Sequence, residues 1–288
     1  MMVARPRPGP DEVTVEAPLA ATLRAIDGAL PFNRVLLDPA SDLLTLADLI
    51  ADDGAGLQVQ LDNTMAYLGT DDRDIAVALG AMSFPWLVAG VAAGAFLADH
   101  RVPDLTPAAV SYTFAEYGYP RDIILRNPGF SALPDDPAAS RPEATVVADI
   151  DELRAVLQRQ LGGHLAGVLQ TLRSRGARVG MRTIRQTVLE ACLSALCTAE
   201  ARLGRLPHLR DDVEAIFRTG DADNPLHMRT LPLIREYPTG SGGRAASVAT
   251  STCCLRFRIP GRGTCPACPH QDLEERERRM AEAALLFG

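Results

Sequence analysis

Residues 252–269 read Thr-Cys-Cys-Leu-Arg-Phe-Arg-Ile-Pro-Gly-Arg-Gly-Thr-Cys-Pro-Ala-Cys-Pro, which sets Cys253, Cys254, Cys265 and Cys268 in the spacing CC-x10-C-x2-C. Four thiolates inside a hairpin-sized segment make a complete ligand set for one metal centre. Leu255 to Ile259 alternates apolar and Arg as a strand does, and Pro260 to Gly263 is turn chemistry. The return is therefore predicted to carry Cys265 and Cys268 back toward Cys253 and Cys254.

Two centres take four cysteines: tetrahedral zinc and a [2Fe-2S] cluster with two thiolates on each iron. Structural zinc usually draws its ligands from spaced C-x(2–4)-C knuckles, whereas neighbours on a regular strand point to opposite faces. Cys253 and Cys254 thus suit one small ion poorly and a two-iron cluster better. Gly261 and Gly263 would let backbone N–H groups approach the sulfurs, one of the levers on cluster potential. Arg256, Arg258 and Arg262 would moderate the cluster's negative charge or hold an anionic group beside it; a solvated strand face is the plainer alternative.

The surrounding chain is globular in composition. Its 288 residues, 47% hydrophobic and 23% charged, are enough to bury a sizeable core, which excludes a disordered tail and a stapled mini-protein. All 29 basic residues are arginine, a bias that carries no functional reading. The net charge of -7 is uneven: residues 1–150 hold 9 arginines against 21 acids, and residues 151–288 hold 20 against 15. An anionic ligand or partner therefore belongs to the second half. The two early arginines run straight into prolines and acids with no signal-length apolar stretch, so a cytoplasmic protein is expected. Clustered cysteines in a reducing compartment usually hold metal rather than form disulfides.

Apolar spacing predicts helices over 15–30 and 41–52, the second capped by Ser41 or Asp42. Residues 75–98 carry no charge and are long enough to nominate a membrane span, but they are Ala- and Gly-rich and interrupted by Pro85. Two buried helices meeting at Pro85 are the expectation, with peripheral membrane association as a minor one. Residues 109–125 read as a β-hairpin in which Tyr112, Phe114, Tyr117 and Tyr119 pack the sheet, and 127–143 as a loop. Next come a strand over 145–150, a helix capped by Asp149 or Asp151 that bends or ends at Gly162 and Gly163, and its continuation over 165–172. A long helix runs from Met181 to Leu203 with Cys192 and Cys197 on its buried side. A short helix spans 211–217, and irregular chain follows. Gly240 to Arg244 reads as a connector rather than an anion loop. The last helix, 271–286, should pair Glu274 with Arg278 and Glu275 with Arg279, and pack Leu273, Met280 and Leu285 beside the cysteines. His270 reads as a surface residue at its start. The whole is an α+β fold, predominantly helical, with small β-hairpin elements and a C-terminal cysteine-rich cluster-binding hairpin followed by a helix. The divisions fall at 1–145, 146–240 and 241–288.

The cysteine spacing resembles that of the FhuF-like ferric siderophore reductases, whose C-terminal hallmark is CC-x10-C-x2-C. Leu255, Phe257, Arg258, Pro260, Gly261 and Gly263 are similar to the residues between the family's cysteines. The helix beginning RVGMRTIRQTVLEACLSAL also resembles the family's middle region, although it lacks the tryptophan expected there. The resemblance implies a [2Fe-2S] cluster on Cys253, Cys254, Cys265 and Cys268, and one-electron reduction of a cytoplasmic ferric siderophore, of hydroxamate type. It also implies an electron donor such as a ferredoxin or flavin reductase. Arg244, Arg256, Arg258 and Arg262 are the candidate substrate contacts, followed by Arg178, Arg182 and Arg185 at i, i+4 and i+7 of one helix face. The net negative charge and the lack of aromatics among these arginines argue against nucleic acid. A structural zinc module on an interaction protein and an iron-sulfur sensor are the alternatives.

Overall fold

The computed structural model describes residues 17–27, 34–175, 178–218 and 224–286. Its elements in chain order are α1 (Pro18–Asp27), β1 (Val35–Leu37), α2 (Leu46–Leu68), α3 (Arg73–Asp99), β2 (Arg101–Pro103), β3 (Val110–Phe114), β4 (Pro120–Leu125), β5 (Phe130–Ala132) and β6 (Ala144–Val146). They continue with α4 (Ile150–Ser174), α5 (Met181–Arg202), α6 (Leu209–Phe217), β7 (Leu233–Pro238), β8 (Arg244–Ala249) and α7 (Leu273–Leu286). Helices carry the architecture, as the sequence leads one to expect.

The helix α3 is the axis of the protein. It runs unbroken through Pro85, where a junction of two helices was expected. An interior proline removes one backbone hydrogen bond and costs about 3 kcal/mol in an exposed helix. Here Ile75, Val77, Phe84, Leu87, Val88, Val91 and Phe96 are all buried, so packing around nearly the whole circumference holds the helix through the lesion. The same packing answers the membrane question. By length and composition α3 passes for a span, yet 83% of its most apolar window is buried inside the protein. Its most extensive partner among the described elements is α5. One continuous hydrophobic core includes Leu19, Leu57, Val88, Ile123, Leu157, Leu193 and Phe217.

The helix α2 starts three to four residues later than its sequence cap suggested. Thr45 is the N-cap, its hydroxyl accepting from Asp48 N–H while the Asp48 carboxylate accepts from Thr45 N–H, a complete capping box. Ala51 to Gly54 then leave helical geometry, with Asp52, Asp53 and Gly54 at positive φ, before the helix resumes. Gly54 is required twice, by its φ of +80° and because a Cβ would lie 2.0 Å from Thr171 Cγ2 on α4. Arg175 clamps this break by donating to the Asp53 carbonyl.

The predicted hairpin is β3 and β4, antiparallel, to which β1 adds a parallel third strand. The presumed loop 127–143 in fact contains β5, which pairs with β2 and β6 in a second small sheet. Asp149 caps α4, as one of the two expected choices, and accepts from the N–H groups of Asp151 and Glu152. Neither Gly162 nor Gly163 bends the helix. Gly162 is instead a contact position, because a Cβ there would come within 2.1 Å of Pro225. The chain expected to be irregular contains the antiparallel hairpin β7–β8, whose turn is Thr239 to Gly243. Gly240 to Arg244 therefore belongs to a β-turn and the start of β8, not to a connector.

His164 on α4 is fully buried. Its Nδ1 lies 2.7 Å from the Leu105 carbonyl, which can only accept, so Nδ1 carries the proton and Nε2, 2.6 Å away, accepts from the Tyr112 hydroxyl. Burial holds its pKa down at about 4. The unfolded chain, with an ordinary histidine near 6.5, binds a proton between those values that the folded chain does not. This residue's contribution to stability is therefore constant above pH 6.5 and is lost as pH falls from 6.5 to 4, by about 3 kcal/mol. Denaturant midpoints of His164→Gln should fall less steeply over that window than those of the unaltered protein; equal slopes would refute the assignment.

Candidate metal centre

The cysteine segment follows β8 and folds differently from the expected strand. Leu255 takes a left-handed conformation, φ +59°, and Arg256 to Arg258 form a single 3-10 turn before Pro260 and Gly261 reverse the chain. The left-handed step accounts for the lost alternation. It turns the chain immediately after Cys254, so the segment coils around its own thiols instead of running past them. Cys254, Ile259 and Cys268 are buried, Cys253 and Cys265 are partly so, and Arg256, Phe257, Arg258 and Arg262 remain exposed.

All four thiols lie near enough to shift one another's ionisation, Cys254 and Cys265 most strongly and Cys253 and Cys268 next. The adjacent residues Cys253 and Cys254 thus interact most strongly with different cysteines of the returning chain. Among the described residues no three His, Cys, Asp or Glu donors surround one ion-sized position. The Cys254 thiol is pulled down to about 6, first by its hydrogen bond with Cys265 and further by the backbone N–H and charge of Arg256; Cys265 is pushed up by that same bond. Burial raises Cys253 to about 11, against the pull of the Leu255 N–H, which donates to its sulfur at 3.3 Å. Cys192 and Cys197 stay in the core of α5, both pushed up to about 12 by burial, and take no part.

The segment is held from two sides. On α5, the side chain of Glu190 is buried and points at residues 251–252. Its Oε1 accepts from Ser251 N–H at 2.9 Å and from the Ser251 hydroxyl at 2.5 Å, and its Oε2 accepts from the Thr252 N–H at 3.3 Å and hydroxyl at 2.7 Å. Gln186 completes the set by donating to Oε1 at 3.1 Å. A buried carboxylate with this many donors is fully satisfied, and it fixes the two residues that precede the cysteine pair. On the other side, Arg279 of α7 donates to the Thr264 carbonyl and hydroxyl, Arg276 to the Thr250 carbonyl, and Gln271 to the Cys265 carbonyl. Thr250 closes the loop by donating to the Ala267 carbonyl at 3.1 Å.

Several charged residues sit differently from their sequence expectation. Arg278 pairs with Glu275 and Glu282, not Glu274, because Arg279 is taken by Thr264. Met280 is buried as expected, whereas Leu273 and Leu285 are about half exposed. Arg244 is exposed and bound to Glu236 at 2.8 Å, and Arg258 reaches Asp72 at the start of α3, 3.3 Å away. Arg178, Arg182 and Arg185 are exposed. His270 is exposed and its ring lies 4.9 Å from that of Phe257, in keeping with a surface residue. Glu190 was the residue missed. The signal available was a carboxylate inside the buried run Thr187 to Leu193.

A cavity of about 920 Å³ opens beside the thiols. Met82 and Trp86 of α3 form one wall and Ala191 and Ser194 of α5 another, with Tyr117 and Tyr119 from the β3–β4 turn over it. Cys265, Pro266 and Ala267 of the thiol loop also line it. Of the hairpin aromatics, then, Tyr112 and Phe114 pack in the core, while Tyr117 and Tyr119 border open space.

Four thiols gathered on one anchored loop are the ligand set of a thiolate metal centre. Residues 251–270 match the family model described as the FhuF 2Fe-2S C-terminal domain. The chain is FhuF-like at this end, and the cofactor of the matched domain is a [2Fe-2S] cluster. Among curated proteins the comparison finds no match.

Proposed function

We propose that the protein is a cytoplasmic ferric siderophore reductase whose [2Fe-2S] cluster is held by Cys253, Cys254, Cys265 and Cys268. The observation that carries the reading is the match of residues 251–270 to the FhuF 2Fe-2S C-terminal domain, with its four cysteines on an anchored loop beside a ligand-sized cavity. When bound, the cluster supplies one-electron chemistry: an electron from a ferredoxin or flavin reductase passes to the Fe(III) chelate, and the iron, weakly held as Fe(II) by hard oxygen donors, is released.

The residues of the chain have defined tasks in this scheme. Glu190 fixes the approach to Cys253 and Cys254. The Leu255 N–H donates to Cys253 sulfur, and the Arg256 N–H and guanidinium favour the thiolate of Cys254. Such hydrogen bonds to sulfur withdraw charge and raise a cluster's potential. Burial of Cys254, Ile259 and Cys268 keeps water from that side.

Mixing dithionite-reduced, cluster-loaded protein with a ferric trihydroxamate under argon is the test. Reoxidation of the visible spectrum should match one Fe(II) trapped by a ferrous chelator per cluster. A protein that stays reduced, or one purified colourless with a single zinc, would overturn the reading.

A further inference from the structure

Resting on the reductase reading, we propose that the outer face of the thiol loop, Arg256 to Gly263, is the docking surface for the electron donor, and that the donor is an acidic one-electron carrier protein. The loop has two sides. Thr252, Cys265, Pro266 and Ala267 line the cavity, whereas no residue from 253 to 264 does. Between them, Arg256 to Arg258 and Pro260 to Gly263 are exposed to solvent. A carrier can therefore reach the centre from outside without entering the cavity. The outer face is also close to the sulfurs through bonds. The Arg256 N–H donates to the Cys254 sulfur and the Leu255 N–H to that of Cys253, the latter at 3.3 Å. A partner resting on Arg256 and Phe257 is then one residue of backbone away from a ligand sulfur.

Charge selects the kind of partner. Residues 251–271 hold three arginines and no acid, in a chain whose net charge is -7. An acidic carrier, repelled by the protein as a whole, is steered to this strip. Among the described residues Asp72 is the one carboxylate within ion-pair distance of the three guanidinium groups, 3.3 Å from that of Arg258. Asp71 beside it is exposed and pairs with none of them, and Asp272, the acid nearest along the chain, accepts from the Glu275 N–H. Arg256 faces the charge of Cys254, and Arg262 has no ion pair among the described residues. A loaded centre with four thiolates carries a net charge of about -2, so without these arginines an acidic partner would be turned away from it. Phe257, 38% exposed, stands between Arg256 and Arg258 with its ring 4.9 Å from that of His270. Aromatic residues and arginine are the types enriched at the centres of protein interfaces. A strip this short suits an encounter of the transient redox kind, which buries less than about 1,200 Å².

The probe is a flavodoxin, an acidic FMN protein, used with the full-length, cluster-loaded protein. Calorimetry with both proteins oxidised reads binding while no electron moves. Stopped-flow mixing with flavodoxin hydroquinone reads transfer: the FMN hydroquinone anion becomes the blue neutral semiquinone and one Fe(III) of the centre becomes Fe(II), with no bond broken and no proton moved. At an ionic strength of about 10 mM, where charges act over about 30 Å, Arg262→Glu should weaken binding and slow transfer about tenfold. At about 1 M, where their reach is about 3 Å, that difference should vanish. Phe257→Ala should weaken binding about threefold at either salt, as loss of an apolar anchor does. A basic cytochrome c, taking the electron from the reduced centre, should react faster with Arg262→Glu than with the parent, a reversal that damage to the loop would not produce. Iron content, and the KM for a ferric trihydroxamate with dithionite as donor, should match the parent in both variants, because neither residue lines the cavity. The proposal is overturned if flavodoxin neither binds nor reduces the parent, if Arg262→Glu binds as the parent does, if its defect persists at high salt, or if the KM for the chelate rises instead. In each of those cases reoxidation of the centre by the ferric chelate stands separately and keeps the reductase reading. A parent that docks flavodoxin and accepts its electron but passes none to the chelate would remove that reading and keep the surface.

Discussion

Cys265→Ser protein should be isolated with little or no [2Fe-2S] absorption and less than a tenth of the parent's iron, yet with its helical circular dichroism intact. Serine keeps the size of the side chain but offers a hydroxyl where the centre needs a thiolate, a soft donor suited to iron-sulfur clusters. Cys265 also carries the bond that draws down Cys254, so one substitution disturbs both members of a pair. The fold should survive because the thiol loop hangs at the edge of the protein. The core built on α3, α4 and α5 involves none of the four cysteines in question. Iron analysis together with far-ultraviolet circular dichroism checks the result; iron content equal to the parent's would dismiss Cys265 as a ligand. The same comparison with Cys192→Ser should leave the iron unchanged, since that thiol is packed in the hydrophobic core.

Glu190→Ala should cost nearly as much iron, although Glu190 is not a ligand. Removing the carboxylate leaves two backbone N–H groups and two hydroxyls without their acceptor in a partly buried place, at about 1–3 kcal/mol for each group that finds no substitute. The loop's first anchor is then gone and Cys253–Cys254 loses its fixed approach. Glu190→Gln separates position from charge. Its amide oxygen can serve only one of the two residues, and its NH2 group faces donors, so partial iron loading is expected. The clusters that do form should show a raised potential, because a negative charge has left the vicinity. Iron stoichiometry and spectroelectrochemical titration measure the two effects. Parent-like loading and potential in both variants would show that Glu190 merely supports α5.

Much of this organisation was legible in the sequence because it rests on periodicities longer than a turn. The helix α5 was readable to within a residue from Ile184, Val188, Cys192 and Leu196, and the hairpin β3–β4 from its aromatic and β-branched run around Gly118 and Pro120. The four cysteines declared themselves by spacing alone. What escaped was set by tertiary contacts. Strands of three residues, such as β1, β2, β5 and β6, have no room for a period-two pattern, and their pairing comes from neighbours distant in the chain. Pro85 reads as a break only when the stabilising effect of burial on every side is left out. Gly162 reads as a hinge until Pro225 is found against it. Leu255 gives no warning of a left-handed conformation, since nothing in a leucine favours it; the local turn imposes it. Glu190 sits 61 residues from Ser251, and one sequence holds no trace of that pairing beyond the oddity of a carboxylate in an apolar stretch.

The anchoring of the thiol loop by α5 and α7 bears on how the centre is built in a living cell. A delivery protein carrying a ready-made cluster would meet a receptor whose shape is already set, with Glu190, Gln271 and Arg279 holding the loop before any iron arrives. Loading then becomes an exchange of ligands between two folded surfaces rather than the ordering of a loose tail. Its rate should depend on the fit of the donor to the exposed rim around Phe257 and Arg262, and only weakly on how fast this chain folds.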